Sequence, residues 1–196
     1  MLPDQHIRER LKAKTVGIAG CGGLGSNCAV ALARVGVGRL VIADWDVIEL
    51  SNLNRQYFFL DQVGQKKTRA LKDVIHRIDP QIVVEEHEIE LTTGSIPEIF
   101  RDCDVIVEAF DTAEMKRMIV ETVMVNMEGK PLVCGVGLAG WGSNDSIGMQ
   151  KHDNIYICGD RVSEVTEEYP PIGPRVGIVA NMEANQVLEI LLGRIR

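Results

Sequence analysis

With 196 residues the chain is long enough for one well-cored domain and marginal for two. Its 45% hydrophobic and 25% charged content is that of an ordinary globular chain, and a net charge of −7 argues against a nucleic-acid partner, which needs a basic face. No apolar run approaches the roughly 18 residues that span a bilayer, and the start lacks a signal-peptide core, so a cytoplasmic protein without a membrane partner is expected.

The pattern along the chain is one of short apolar strands alternating with amphipathic helices. Thr15–Ala19 reads as the first strand and 24–35 as the helix after it; 40–43 is the second strand. Lys67–Ile78 is a helix, with Ala70, Val74 and Ile78 on one face and Leu71 and Ile75 beside them, stopped by Asp79-Pro80. Residues 82–87 form a third strand, and Ser95-Ile96-Pro97-Glu98 has the form of a capping box opening a short helix. A fourth strand at 105–109, a helix at 113–127 and a fifth strand at 131–136 follow. Residues 137–174 are rich in glycine and polar groups, with 160–171 the most loop-like part, and 175–192 makes the last helix. The fold class expected is α/β: a Rossmann-like, doubly wound, mostly parallel sheet with helices on both faces and a small C-terminal strand and loop extension. We expect one domain over 1–196, comprising a nucleotide-binding core (1–136), a segment of strands and a mobile loop (137–174) and a C-terminal helical segment (175–196).

Gly20-Cys21-Gly22-Gly23-Leu24-Gly25 lies between the first strand and its helix. There Gly20 allows a tight turn, Gly22 lets backbone approach phosphate and Gly25 lets helix and strand pack closely, while Gly23 sits at the positive helix end. Asp44, at the end of the second strand, stands where a carboxylate reaches ribose hydroxyls. A tight turn without ligand and a solvated aspartate are the plain alternatives.

A polar set follows that a dehydrogenase does not need. Arg55 and Lys67 suit a triphosphate: arginine grips phosphate in a bidentate manner and lysine acts as a mobile point charge. Asn52 would hold a phosphate or a neighbouring backbone group. Lys66, Lys67 and Arg69 could instead form a solvated helix start, but positive charge at a helix amino terminus is unfavourable, which tilts Lys67 towards function. Asp111 follows the fourth strand at the ligand-binding edge and suits Mg²⁺; Asp111-Thr112-Ala113-Glu114 also reads as a helix N-cap with an acid three residues on. Glu108 reads as a strand-end residue without chemistry. His6, His76, His87 and His152 lack metal-ligand spacing. The five cysteines are scattered without a Cys-x-x-Cys, which supports neither a disulfide framework nor zinc. Cys21, Cys28 and Cys134 read as packing residues; Cys158, bordering the loop, is the only cysteine for which an exposed role is plausible, a buried packing role being the commoner one for a free cysteine.

Together, Gly20–Ser26, Asp44–Gln56, Val63-Gly64-Gln65-Lys66-Lys67, Glu108-Ala109-Phe110-Asp111 and Pro174–Gly193 resemble the ThiF–MoeB–HesA family, bacterial relatives of ubiquitin-activating enzymes. The stretch Ser51-Asn52-Leu53-Asn54-Arg55-Gln56 is the most specific. Length and the Glu-Ala-Phe-Asp segment look most like the short ThiF-type sulfur carrier protein adenylyltransferase of thiamine biosynthesis. The resemblance implies ATP and Mg²⁺, and as partner a small ubiquitin-like sulfur carrier protein ending in Gly-Gly. Its tail carboxylate attacks the α-phosphate to give an acyl-adenylate and pyrophosphate, and a sulfur donor protein later makes the thiocarboxylate. By matched position Asp44 binds ribose, Asn52, Arg55 and Lys67 the phosphates and Asp111 the magnesium, with Asp46 lining the same site. Arg55, Lys67 and Asp111 are then the catalytic set, and a homodimer is implied. Longer members hold zinc with two Cys-x-x-Cys pairs; here Arg161 stands where the partner of Cys158 would be, so no zinc is expected. The family's N-terminal arginine segment is absent, leaving Arg8 or Arg10 as substitutes. Two other function classes share the glycine loop: an NAD-dependent oxidoreductase, for which no hydride-transfer partner is evident, and a non-catalytic protein that binds a ubiquitin-like partner.

Overall fold

The computed structural model describes residues 3–193; residues 194–196 of the expected C-terminal segment lie outside the described residues. One seven-stranded sheet runs in the order β3-β2-β1-β4-β5-β7-β6. Its strands are β1 (Thr15–Ala19), β2 (Arg39–Ala43), β3 (Val83–His87), β4 (Val105–Glu108), β5 (Leu132–Gly135), β6 (Gly148–His152) and β7 (Ile155–Gly159). All neighbours pair in parallel except β6 with β7. The α/β, Rossmann-like class expected from the sequence is the one observed. Strands β1, β2, β4 and β5 are almost wholly buried, as parallel strands covered on both faces must be.

Among the described residues six α-helices accompany the sheet: α1 (Pro3–Lys12), α2 (Gly23–Val35), α3 (Lys67–Ile78), α4 (Ser95–Phe100), α5 (Ala113–Asn126) and α6 (Gly173–Leu192). One core layer joins α2, α3 and α6 to the sheet through Ile18, Leu32, Leu71, Ile75, Val179 and Val187. The other joins α4 and α5 through Ile96, Phe100, Ile106, Ile119 and Leu132. The chain order reverses between β1 and β4, both of which pair with each other in the sheet centre. Ligands of open α/β sheets bind at such a switch point, outside the carboxyl ends of the strands.

Local chemistry differs from expectation at three helix starts. The cap of α5 is Thr112, whose hydroxyl accepts from the Met115 amide at 3.3 Å, so Asp111 stays outside the helix. Ser95 is the first residue of α4 rather than its cap; its hydroxyl exchanges hydrogen bonds with Thr92 before the helix. Helix α1 carried no sequence signal because it has no apolar stripe: from Gln5 to Lys12 only Leu11 is buried.

Candidate nucleotide-binding site

The glycine loop leaves β1 at the switch point. Gly20 has φ of +98°, and a Cβ there would lie 2.8 Å from the Ala109 carbonyl oxygen. A Cβ on Gly25 would lie 1.9 Å from the Gly20 oxygen, so these two glycines are demanded by the fold itself. Gly22 is different. A Cβ there would meet only the Gln56 amide nitrogen, at 3.7 Å, which is ordinary contact. Gly22 is also the N-cap of α2 and supplies no side chain to the first turn, which contains no acid. The loop therefore has an open face at the positive end of a helix, the arrangement that accepts an anion.

Asp44 is tied to this loop. Its Oδ2 accepts the Cys21 amide at 2.6 Å and its Oδ1 the Asp46 amide at 2.8 Å. Asp46 in turn pairs with Lys67, Nζ to Oδ2 at 2.6 Å. A continuous polar path thus runs from the loop amide of Cys21 through Asp44 and Asp46 to Lys67. Lys67 begins α3, yet its charge is compensated by Asp46, which removes the electrostatic frustration of a cation at a helix start.

Arg55 reaches the loop at Gly23. Its aliphatic stem lies over Gly23, 3.6 Å from a Cβ position there, and its Nη1 donates to the Ser51 carbonyl and to Asn54 Oδ1. The turn that carries it is fastened to α2. Ser26 donates to the Gly22 carbonyl and accepts the Tyr57 amide; Asn27 donates to the carbonyls of Gly23 and Arg55. Asn27 escaped the sequence reading and Ser26 entered it only as the end of the glycine segment, since an asparagine or serine early in a helix carries no distinctive pattern. Of the two roles open to Asn52, the structure shows the local one: it is buried and accepts the Glu49 amide at 3.1 Å, closing the 3₁₀ turn Leu50–Asn52. Asp111 is exposed just beyond the carboxyl end of β4.

Glu108 is more than a strand end. It is fully buried, accepts the Phe110 amide at 2.8 Å and takes both its oxygens to Lys116 Nζ at 2.9 and 3.0 Å; Lys116 also donates to the Gly135 carbonyl. Burial raises its pKa, while Lys116 and the Phe110 amide oppose the rise. This brace fixes the turn that presents Asp111.

Of the two roles open to Cys158, the structure shows the buried one. It is completely buried, and burial, followed by the nearby Glu183, pushes its thiol up to about 12, so it is protonated at neutral pH. The reason lies in β7, which pairs Cys158 with Gly135 on one side and Met149 on the other, placing it inside the sheet rather than in the following loop. Residues 161–171 form no helix or strand, yet Asp160 at their head is buried and ion-paired with Arg175 of α6. Arg8 and Arg10 bond the carbonyls of Arg34 and Leu192, at the last turns of α2 and α6. Among the described residues, no group of three or more His, Cys, Asp or Glu is placed to hold a metal, and no helix is long and apolar enough to cross a membrane.

Comparison with known proteins agrees with this architecture. The chain is 31% identical over 191 residues to the adenylyltransferase and sulfurtransferase UBA4 of Kluyveromyces lactis, covering 94% of this chain and 43% of that protein. It is 33% identical over 192 residues to the adenylyltransferase and sulfurtransferase MOCS3 of Caenorhabditis briggsae, covering 93% of this chain and 47% of the relative. The chain thus spans less than half the length of these relatives. In fold it is similar to the Escherichia coli tRNA N6-threonylcarbamoyladenosine dehydratase TcdA crystallised with AMP, with a TM-score of 0.86 at 18% identity over 95% of this chain and 89% of that one. It is also similar to Escherichia coli MccB crystallised with ATP, with a TM-score of 0.69 at 23% identity over 94% of this chain and 57% of that one. The ThiF family model matches residues 3–196, and the chain belongs to the ThiF family.

Proposed function

We propose that this protein adenylates the C-terminal glycine carboxylate of a small ubiquitin-like sulfur carrier protein, using ATP and Mg²⁺ and releasing pyrophosphate. The observation that carries the reading is the polar path Cys21–Asp44–Asp46–Lys67 beside the glycine loop, with the stem of Arg55 packed at Gly23. The names of the relatives UBA4 and MOCS3 as adenylyltransferases support the reaction class. The resemblance to short ThiF-type proteins supports a thiamine-type carrier, a separate sulfur donor protein, a homodimer and a cytoplasmic setting.

The reacting carboxylate is already ionised at neutral pH, so the chain needs no general base for this step. Its work is alignment and charge neutralisation. Asp44 would orient the ribose, the open face at Gly22 and the backbone of Gly23 beside it would take the phosphate chain, and Arg55 and Lys67 would offset its charge. Asp111 is the residue that would hold Mg²⁺, which when bound supplies further neutralisation of the phosphates. The carboxylate attacks the α-phosphorus, the bond to the bridging oxygen of pyrophosphate breaks, and acyl-adenylate and pyrophosphate result.

The test is ATP–pyrophosphate exchange with and without a carrier ending in Gly-Gly. Exchange that requires the intact Gly-Gly end supports the proposal. Exchange only with a carrier from another pathway keeps the chemistry and moves the partner. ATP binding with no exchange for any carrier replaces it by a non-catalytic, carrier-binding role.

A further inference from the structure

A hollow of about 170 Å³ lies where the last turn of α2 and the second half of α3 meet the turn that follows Gln56. It is lined by Arg34, Tyr57, Phe59, Val74, Arg77 and Ile78: two cations, no acid, and none of the residues assigned above to the nucleotide. Two rings form its walls. Tyr57 and Phe59 meet edge to face, with centroids 6.3 Å apart and planes at 85°. The Arg77 guanidinium stacks over Phe59, 5.7 Å from the ring centroid, and the Arg34 side chain donates a long bond of 3.5 Å to the Tyr57 hydroxyl. The walls are held from behind, since the Tyr57 amide donates to Ser26 Oγ and the Phe59 amide to Gln62 Oε1.

The two guanidiniums lack the partner such groups usually have. Neither Arg34 nor Arg77 pairs with a carboxylate among the described residues, whereas on the same helix as Arg77 the side chain of Arg69 pairs with Asp73 and Glu86, and that of Lys72 with Glu86. Both arginines stand in the last turn of a helix, where the carbonyl end favours a cation; that accounts for their charge and not for the rings beside them. A guanidinium stacked on a ring keeps its in-plane N–H groups free, and their fork matches a carboxylate. Phe59 is 45% exposed and offers apolar area that gains from being covered. Size narrows the ligand further: a cavity of about 150 Å³ takes one benzene ring, while drug-sized ligands need roughly 300 Å³ or more. We infer that this hollow is a second ligand site, for a small aromatic carboxylate, with the ring against Phe59 and the aliphatic side chains of Val74 and Ile78 and the carboxylate on Arg34 and Arg77. Such a site stands whether or not the glycine loop holds ATP.

The experiment is an NMR titration of the full chain with phenylacetate, acetate, benzyl alcohol and inorganic phosphate at constant ionic strength, followed at the Tyr57, Phe59 and Ile78 amides. It is repeated with Arg34→Gln, Arg77→Gln and Arg77→Lys, with thermal melts as a check of folding. Wild type should bind phenylacetate saturably with a dissociation constant on the order of 1 mM, the range open to a ligand of that size. Acetate and benzyl alcohol each carry one half of the ligand and should bind at least about tenfold more weakly. Each glutamine variant should lose about tenfold in phenylacetate affinity, and Arg77→Lys should recover only part of that, because an ammonium lacks the planar fork. Absence of saturable phenylacetate binding at these amides overturns the inference, as does wild-type affinity in both glutamine variants. Phosphate bound as tightly as phenylacetate overturns it too, since that would mark a plain pair of cations. So does an affinity that falls as protein concentration rises, which would put a second copy of the chain in the hollow.

Discussion

Lys67 and Asp46 are joined twice: the ammonium sits 2.6 Å from Asp46 Oδ2, and the Lys67 amide donates to the Asp46 carbonyl at 3.0 Å. The lysine side chain is 8% exposed and the carboxylate 46%, so the pair is dry on one side and wet on the other. The partner is itself fastened, its amide donating to Asp44 and its carbonyl accepting the Lys67 amide.

Lys67→Met should therefore retain the fold, since methionine fills the buried stem, while exchange of pyrophosphate into ATP falls by about 100-fold or more, the typical loss for one preorganised charge donor. Arg55→Ala should give a loss of the same order. Near-normal exchange in both variants would remove these residues from the chemistry. Asp46→Ala separates the two roles in another way: it strands a buried lysine and should lower the melting temperature more than Lys67→Met does.

Gly22 and Gly25 occupy one motif for different reasons, and alanine scanning can separate them. Gly25→Ala drives a methyl group into the Gly20 carbonyl, 1.9 Å away, so loop or helix must shift and stability should fall by roughly 2 kcal/mol or more. Gly22→Ala meets only ordinary contact at 3.7 Å and should melt close to wild type. Its methyl group would stand where phosphate approaches, so ATP binding should weaken at least about tenfold by calorimetry. A Gly22→Ala protein with wild-type affinity would place the phosphates elsewhere.

Much of this site was legible in the chain because its parts are local. A glycine loop between an apolar strand and a helix fixes its own geometry, and Asp44 follows from the next strand end. The span of α3 was read without error because its apolar positions repeat at helical spacing. What stayed hidden depends on residues far apart in sequence. Nothing near Asp160 announces that Arg175 will bury it, and nothing near Glu108 announces Lys116, eight residues on along α5. The role of Cys158 stayed open because the end of β7 cannot be told from the start of a loop until its partners in β5 and β6 are known. The α5 cap went to Thr112 rather than Asp111 because two adjacent residues are both good caps and only the backbone decides.

Glu183 of α6 predicts a pH effect. It is wholly buried, and neither carboxyl oxygen has a hydrogen-bond partner among the described residues. Burial first, then the field of Glu108, raise its pKa well above the usual carboxylate range, with Lys116 opposing. The folded state therefore holds this proton more tightly than the unfolded chain. The stability it contributes is complete below the ordinary carboxylate range and is lost as pH rises towards the folded pKa. Glu183→Gln has no proton to lose. Its melting temperature should exceed that of wild type at pH 8, and the gap should narrow at pH 5. A gap that is constant across that range would mean that Glu183 does not titrate between the two states.

Asp160 and Arg175 give the opposite sign. Burial alone would raise the Asp160 pKa, but donors from Ser163 and Val162, together with Arg175, outweigh it and hold the carboxyl below its usual range. This contribution is present above the ordinary carboxylate range and is lost as pH falls. Arg175 also donates to the Gly142 carbonyl, so one guanidinium ties the segment before β6 and the segment after β7 to the start of α6. The next contact is the Gly173 amide on the Asn54 carbonyl, one residue from Arg55. Arg175→Ala leaves a buried carboxylate without its partner, which costs roughly 3 kcal/mol, or about 6–12 °C in melting temperature. It should also expose residues 161–171 to limited proteolysis before the sheet unfolds, because the tether is lost while the core is not. Arg175→Lys restores charge without the planar fork and should recover only part of the loss. If Arg175→Ala melted as wild type and resisted cleavage, the buried pair would contribute nothing to holding the loop, and the backbone bridge between Gly140 and Pro171 would have to suffice alone.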